Sequence, residues 1–156
     1  MTDESASSGS APRVVSAERV VDAPAAAIFD LIADPARQPE WDGNDNLATA
    51  DSGQRVRAVG DVFTMTLTTG AVRENHVEEF AEGRRIAWRP SEVGRPQPGH
   101  LWRWELEPLE GERTLVRHTY DWSQLTDETR LERARRNTPE TLAASIDRLA
   151  ALVEAR

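Results

Sequence analysis

From Val62 to Trp122 large and polar residues alternate in short runs, and the runs are separated by dipeptides suited to reversal: Thr69-Gly70, Glu82-Gly83 and Glu110-Gly111. Period-two alternation marks half-buried strands, because successive side chains leave a strand on opposite faces. After "DWSQL" the period changes, and Leu142, Ile146, Leu149 and Val153 recur at helical spacing. Thr126 and Thr138 are both candidate N-caps, and Thr138 precedes Pro139, a residue suited to the first helical position. A series of antiparallel strands followed by one amphipathic helix constrains the fold strongly. The helix has a single apolar stripe and must bury it on the sheet.

Upstream, "RVVSAERVV" from Arg13 to Val21 predicts a first strand. "DAPAAAIFDLIADP" predicts a short helix, with Pro24 in its first turn, Ile28, Leu31 and Ile32 on one side, and Asp34-Pro35 ending it. "ARQPEWD" supplies one more helical turn, and a short strand is expected near Leu47 to Ala50. "SEVGRPQPG" is a proline- and glycine-rich loop. The chain of 156 residues is expected to form one domain over residues 13–156, after a disordered Ser/Ala/Gly tail over residues 1–12.

Turn lengths set which face each side chain takes. A three-residue turn at Glu110-Gly111-Glu112 pairs Leu106 with Val116, Trp104 with His118, Trp102 with Tyr120 and His100 with Trp122. All of these then share one face, opposite Arg103, Glu105, Glu107, Arg117 and Asp121. A two-residue turn at Thr69-Gly70 likewise predicts Phe63, Met65 and Leu67 on the face of Val72, Glu74 and His76. Val77 and Phe80, three apart, point to a bulge that turns Glu78 or Val77 outward. Rings are ordinarily core residues. An inward face that also holds Glu74, His76, Glu78, His100, His118 and Tyr120, however, needs polar partners or water. A partly hydrated pocket, walled by rings and dotted with polar groups, accommodates them better than a dry core.

Composition removes several chemistries. There is no Cys, so disulfides and thiolate sites are excluded. All 19 basic residues are Arg, so lysine Schiff bases are excluded too, and an Ala- and Arg-rich chain without Lys fits a GC-rich bacterial genome. The net charge of −8 disfavours nucleic acid and anionic membrane as partners. No apolar run approaches the ~20 residues of a membrane-spanning helix, and the N-terminus lacks a signal peptide's basic and apolar regions, so the expected location is the cytoplasm.

The order of elements, with "VVDAPAAAIFDLIADPARQPEWD" at its start, resembles the helix-grip fold of the START-like superfamily. That superfamily takes in the SRPBCC group of polyketide cyclase/dehydrase-like and lipid-transport-like proteins. The resemblance rests on three features and covers about residues 13–155. They are Ala23-Pro24 with Phe29, Leu31, Asp34-Pro35 and Trp41; "VGDVF" and then "VEEFAEGRRIAW" ending at Trp88; and the C-terminal amphipathic helix. It implies an α+β fold, a curved seven-stranded antiparallel sheet wrapped around a long C-terminal helix, with two short helices after the first strand. It also implies a ligand cavity between sheet and helix, its mouth bordered by the short helices and by loops that include "SEVGRPQPG".

The expected function is binding, transport or sequestration of a hydrophobic or aromatic small molecule such as a lipid or polyketide. Met65, Trp88, Trp102, Trp104 and Tyr120 would form the walls, and Glu74, His76, His100 and His118 would orient a polar end. A polyketide aromatase/cyclase is the alternative, with His118, His76 and Glu74 as candidate general acids or bases. A co-chaperone-like partner-binding protein is a second alternative. His76, His100 and His118 lie on separate strands without short ligand spacing, so no metal is expected, and no cofactor either. The oligomeric state is expected to be monomer or homodimer.

Overall fold

The structure, a computed structural model, describes residues 13–154. The predicted tail over residues 1–12 lies outside them. The first strand, β1 (Val14–Val21), is followed by α1 (Ala25–Ala33) and a 3-10 helix (Pro35–Glu40). Six further strands come next: β2 (Leu47–Thr49), β3 (Val62–Leu67), β4 (Val72–Ala81), β5 (Arg85–Glu92), β6 (Leu101–Leu109) and β7 (Arg113–Asp121). Two helices, α2 (Glu128–Arg135) and α3 (Pro139–Glu154), close the fold. The strands form one curved antiparallel sheet in the order β1-β7-β6-β5-β4-β3-β2. Helix α3 lies against β1 and β7, with α1 beside it. Among the described residues no helix is long and apolar enough to cross a membrane.

The expected helix-grip architecture is present, with one element more than expected before the last helix. Helix α2 is capped by Asp127, not by Thr126: the Asp127 carboxylate accepts from the Thr129 backbone N–H at 3.0 Å and from its hydroxyl at 2.6 Å. An aspartate one residue further on is the better acceptor for a free helix N–H. Thr138 does cap α3, accepting from the Thr141 N–H at 3.3 Å.

The β6–β7 register is the predicted one, with Leu106 opposite Val116, Trp104 opposite His118 and Trp102 opposite Tyr120. The β3–β4 register is not. Phe63 pairs with Asn75 and Met65 with Arg73, one residue away from the predicted pairing. The cause is the turn. Leu67 donates to the Ala71 carbonyl at 2.7 Å across three loop residues, the last of them Gly70 at φ 92°. Such a loop is a β-turn closed by a left-handed glycine, and it shifts the partner strand by one. Arg73, Asn75 and Val77 therefore face inward, while Val72, Glu74 and His76 face out. The register shift between Val77 and Glu79 is the anticipated bulge: it puts Glu78 into solvent and lets both Val77 and Phe80 point to the core.

The outer face is a ladder of charges. Arg103 grips Glu79 through two bonds of 2.9 and 2.7 Å, Arg85 meets Glu105 at 2.8 Å, and Arg117 meets Glu18 at 2.8 Å. The exposed pairs among them contribute little stability each. Their value is in keeping the two sheet faces chemically distinct.

The segment "WDGND", Trp41 to Asp45, fastens the polar stretch to α3. The Trp41 indole donates to the Leu31 carbonyl at 2.8 Å. The Asp42 carboxylate accepts from the N–H groups of Asn44, Asn46 and Leu47 at 3.1, 2.9 and 3.1 Å. Gly43 donates to Ser145 Oγ at 2.8 Å and lies so close to the helix that a β-carbon there would fall 2.7 Å from the Ser145 nitrogen. Arg148 closes the knot on the Asp45 carboxylate at 2.8 Å and the Asp42 carbonyl at 2.6 Å.

Candidate functional site

Between the inner face of β3–β7 and the segments facing it is a cavity of about 580 Å³. The 3-10 helix and the start of β2 form one side, α2 the other, and Ser145 on α3 its roof. That volume lies within the range of small-molecule sites. The arrangement follows from the order of elements: α3 lies along β1 and β7 and α1 packs on β6, and neither runs along β3 or β5.

Of the residues predicted to line a pocket, Met65, Trp88, His100, Trp102, His118 and Tyr120 do so. Three do not. Trp104 is completely buried behind the wall, edge-on to Trp41 at 5.2 Å between centroids. Glu74 and His76 are carried to the outer face by the one-residue slip. There the Glu74 carboxylate accepts from Gly94 N–H at 3.3 Å, and His76 Nε2 lies 3.1 Å from the Ser91 hydroxyl. Two of the three candidate acid/base groups are thus outside the cavity, and the three histidines do not come together. Residues 91–99, the whole of "SEVGRPQPG", do not line it either. That loop instead anchors α2, since Glu92 meets Arg130 at 2.7 Å.

His118 is the most enclosed titratable group. Its ring stacks on Trp104 with centroids 3.7 Å apart and planes 12° apart, and lies near-parallel to Trp102 at 5.6 Å. Its Nδ1 is 3.0 Å from the Arg103 carbonyl. With Nδ1–H donating there, Nε2 is left as an acceptor. Burial pushes its pKa down to about 3, against the opposing pull of the Arg103 carbonyl. His100 is pushed down to about 4, by burial first and then by the charges of Arg130, Arg73, Arg89 and Arg133. Burial lifts the Tyr120 phenol to about 12, opposed by Asn137, Arg133 and Arg130. All three groups are therefore neutral at physiological pH. They can hydrogen-bond and present flat faces, and they hold no charge of their own.

The sequence reading missed a set of polar lining groups: Arg73 and Asn75 on β4, Arg133 on α2, and Arg136 and Asn137 just after it. The first two become visible once the Gly70 loop is counted as three residues. Arg133 and Arg136 read as part of a solvated arginine run, and only the placement of α2 across the sheet brings them to the cavity.

Comparison with known proteins adds to this geometry. The family described as polyketide cyclase/dehydrase and lipid transport matches residues 12–154. An uncharacterized protein of Mycobacterium tuberculosis is 33% identical over 113 residues, 71% of this chain and 48% of that protein. The chain thus spans about half the length of the curated relatives it matches. Among solved structures, the Aha1 dimer from Colwellia psychrerythraea aligns with a TM-score of 0.62 at 19% identity, over 90% of this chain and 96% of that one. DynU16, from the dynemicin biosynthetic locus, aligns with a TM-score of 0.60 at 18% identity, over 90% of this chain and 47% of that one. At such identities the likeness is one of fold.

Proposed function

The chain belongs to the polyketide cyclase/dehydrase and lipid transport family, and from that premise we propose that it binds a hydrophobic or aromatic small molecule in its cavity, to carry or sequester it. The observation that carries this reading is the cavity itself. About 580 Å³ is walled along the sheet by Trp88, Trp102, Tyr120 and Met65, with polar and charged groups such as Asn75, Arg73 and Asn137 around the rest of the lining. Large flat rings give contact area at low entropic cost, which suits a ring-bearing guest. The family's description as polyketide cyclase/dehydrase and lipid transport makes a polyketide or a lipid the guest to try.

Cyclase chemistry would ask a cavity group to exchange protons near neutral pH. His100 and His118 are pushed well below that range and Tyr120 well above it. Binding therefore accounts for these residues more directly than acid/base catalysis does.

The test uses N-phenyl-1-naphthylamine, a neutral fluorescent hydrophobe. Saturable probe brightening, tryptophan quenching and a raised melting temperature are expected. Leu67 lines the cavity at the end of β3 and is only half-buried. Leu67→Trp is expected to fill the space and weaken the probe at least tenfold with little loss of stability. Probe binding that ignores Leu67→Trp would place the guest elsewhere and remove the proposal's basis.

A further inference from the structure

The cavity has a cationic end. Arg73, Arg133 and Arg136 line it together with His100. None of these three guanidinium groups has an ion-pair or hydrogen-bond partner among the described residues. Their neighbour Arg130, by contrast, is fixed by Glu92 at 2.7 Å and Asp127 at 3.3 Å. The acids nearby are committed. Glu92, opposite Arg73 across β4 and β5, is held by Arg130. Asp42, the single carboxylate of the lining, accepts three backbone N–H groups.

His100 adds a second, independent sign. Its Nδ1 is buried and has no hydrogen-bond partner. A buried nitrogen left in this state is costly, and such groups are normally satisfied. The imidazole also feels Arg73, Arg130 and Arg133 as nearby positive charges. A chain of net charge −8 has thus gathered unpaired arginines and an unsatisfied ring nitrogen at one end of an aromatic hollow.

We infer that the guest is an amphipathic anion: an apolar, ring-bearing body against Trp88 and Trp102, and an acidic head group, carboxylate or phosphate, held by Arg73, Arg133, Arg136 and His100. Guanidinium groups match the oxygens of either head group through paired N–H donors. His100 stands beside these arginines in the lining. The inference rests on the binding function proposed above and narrows it to one chemical class.

Two matched probe pairs test it on the full chain: 9-anthracenecarboxylate against 9-anthracenecarboxamide, and 1-naphthyl phosphate against 1-naphthol. At least one anion is expected to bind about tenfold or more tightly than its neutral partner, and the pair with the larger ratio identifies the head group. Raising NaCl from ~50 to ~500 mM is expected to weaken the anion and leave the neutral probe unchanged. Arg73→Gln combined with Arg133→Gln is expected to bring the ratio below about threefold. If Arg73→Gln impairs folding, Arg133→Gln and Arg136→Gln, both at exposed positions, replace it.

Neutral probes that bind as tightly as the anions would overturn the inference and leave the binding function standing. Failure of all four probes to bind saturably would overturn both. Retention of the anion preference in the arginine variants would overturn the assignment to these residues. Displacement of the anionic probes by inorganic phosphate at matching concentration would make the site one for a free anion, and would overturn the amphipathic class.

Discussion

Replacing Trp104 with alanine is expected to lower the free energy of unfolding by about 3–5 kcal/mol, read as a shift of the urea midpoint at pH 7. Trp104 is completely buried and contacts rings on two sides, Trp41 edge-on at 5.2 Å and His118 face-on at 3.7 Å. Removing it opens space between the 3-10 helix and β6 that the rigid sheet cannot close. Trp104→Phe is expected to cost less than half as much. The indole N–H is buried with no acceptor, so its removal relieves a penalty of about 1–3 kcal/mol that offsets part of the lost packing. A loss for Trp104→Phe as large as that for Trp104→Ala would contradict this expectation.

The second large effect is on stability in acid. In the folded chain the His118 pKa is pushed to about 3, whereas an exposed imidazole titrates near 6.5. Between those values the unfolded chain takes up a proton that the folded chain refuses, so stability falls as pH falls. Above about pH 6.5 both states are neutral and the contribution is flat. Each pH unit below that is worth about 1.4 kcal/mol, so His118 alone accounts for a loss of about 2 kcal/mol by pH 5. His118→Asn keeps a donor for the Arg103 carbonyl and removes the titration. Its stability is expected to fall by about 2 kcal/mol less than that of the unsubstituted chain between pH 7 and pH 5. Ion-paired carboxylates such as Glu79 and Asp45, held low by Arg103 and Arg148, lose stability alike in both chains, so the difference isolates the imidazole. Parallel losses in the two chains would mean His118 titrates normally. The two predictions are coupled, because Trp104→Ala removes the ring that covers His118, and its acid sensitivity is expected to shrink with it.

The parts of this site that were legible in the sequence are those where alternation and turn length agree. In β6 and β7 the alternation from Trp102 to Leu106 and from Val116 to Tyr120 is one of rings, an imidazole and branched apolar side chains. The loop at Glu110-Gly111-Glu112 has the length that pairs them face to face, so Trp102, Trp104, His118 and Tyr120 fall on the inner side as expected. In β3 and β4 the alternation is weak. Glu74 and His76 compete with Arg73 and Asn75 for the inner face, and polarity does not choose between them. The choice is made by Gly70, whose left-handed conformation adds a third residue to the loop. That single residue moves two of the expected site residues out and two unexpected ones in.

The arginine end was illegible for a different reason. Arg133 and Arg136 stand three apart on one side of a highly charged segment, as solvent-facing residues also do. Their role depends on the Glu92–Arg130 pair and the packing of Leu131 and Ala134 toward Trp122 and Leu142, which lay α2 beside the cavity. Such contacts join residues far apart in the chain, and no local pattern encodes them.

The chain's five tryptophans allow its central claim to be tested in one spectrum. Trp41, Trp88 and Trp102 line the cavity, whereas Trp104 is packed behind its wall and Trp122 lies under Arg13 in a separate cluster. In a two-dimensional proton–nitrogen spectrum each indole N–H gives one resolvable signal, and an aromatic guest shifts those it approaches. Titration with N-phenyl-1-naphthylamine is expected to move the signals of Trp41, Trp88 and Trp102 saturably, while that of Trp122 stays in place and that of Trp104 moves least among the remaining four. Movement of the Trp122 signal alone, or equal drift of all five, would contradict a guest bound between the sheet and its terminal helix.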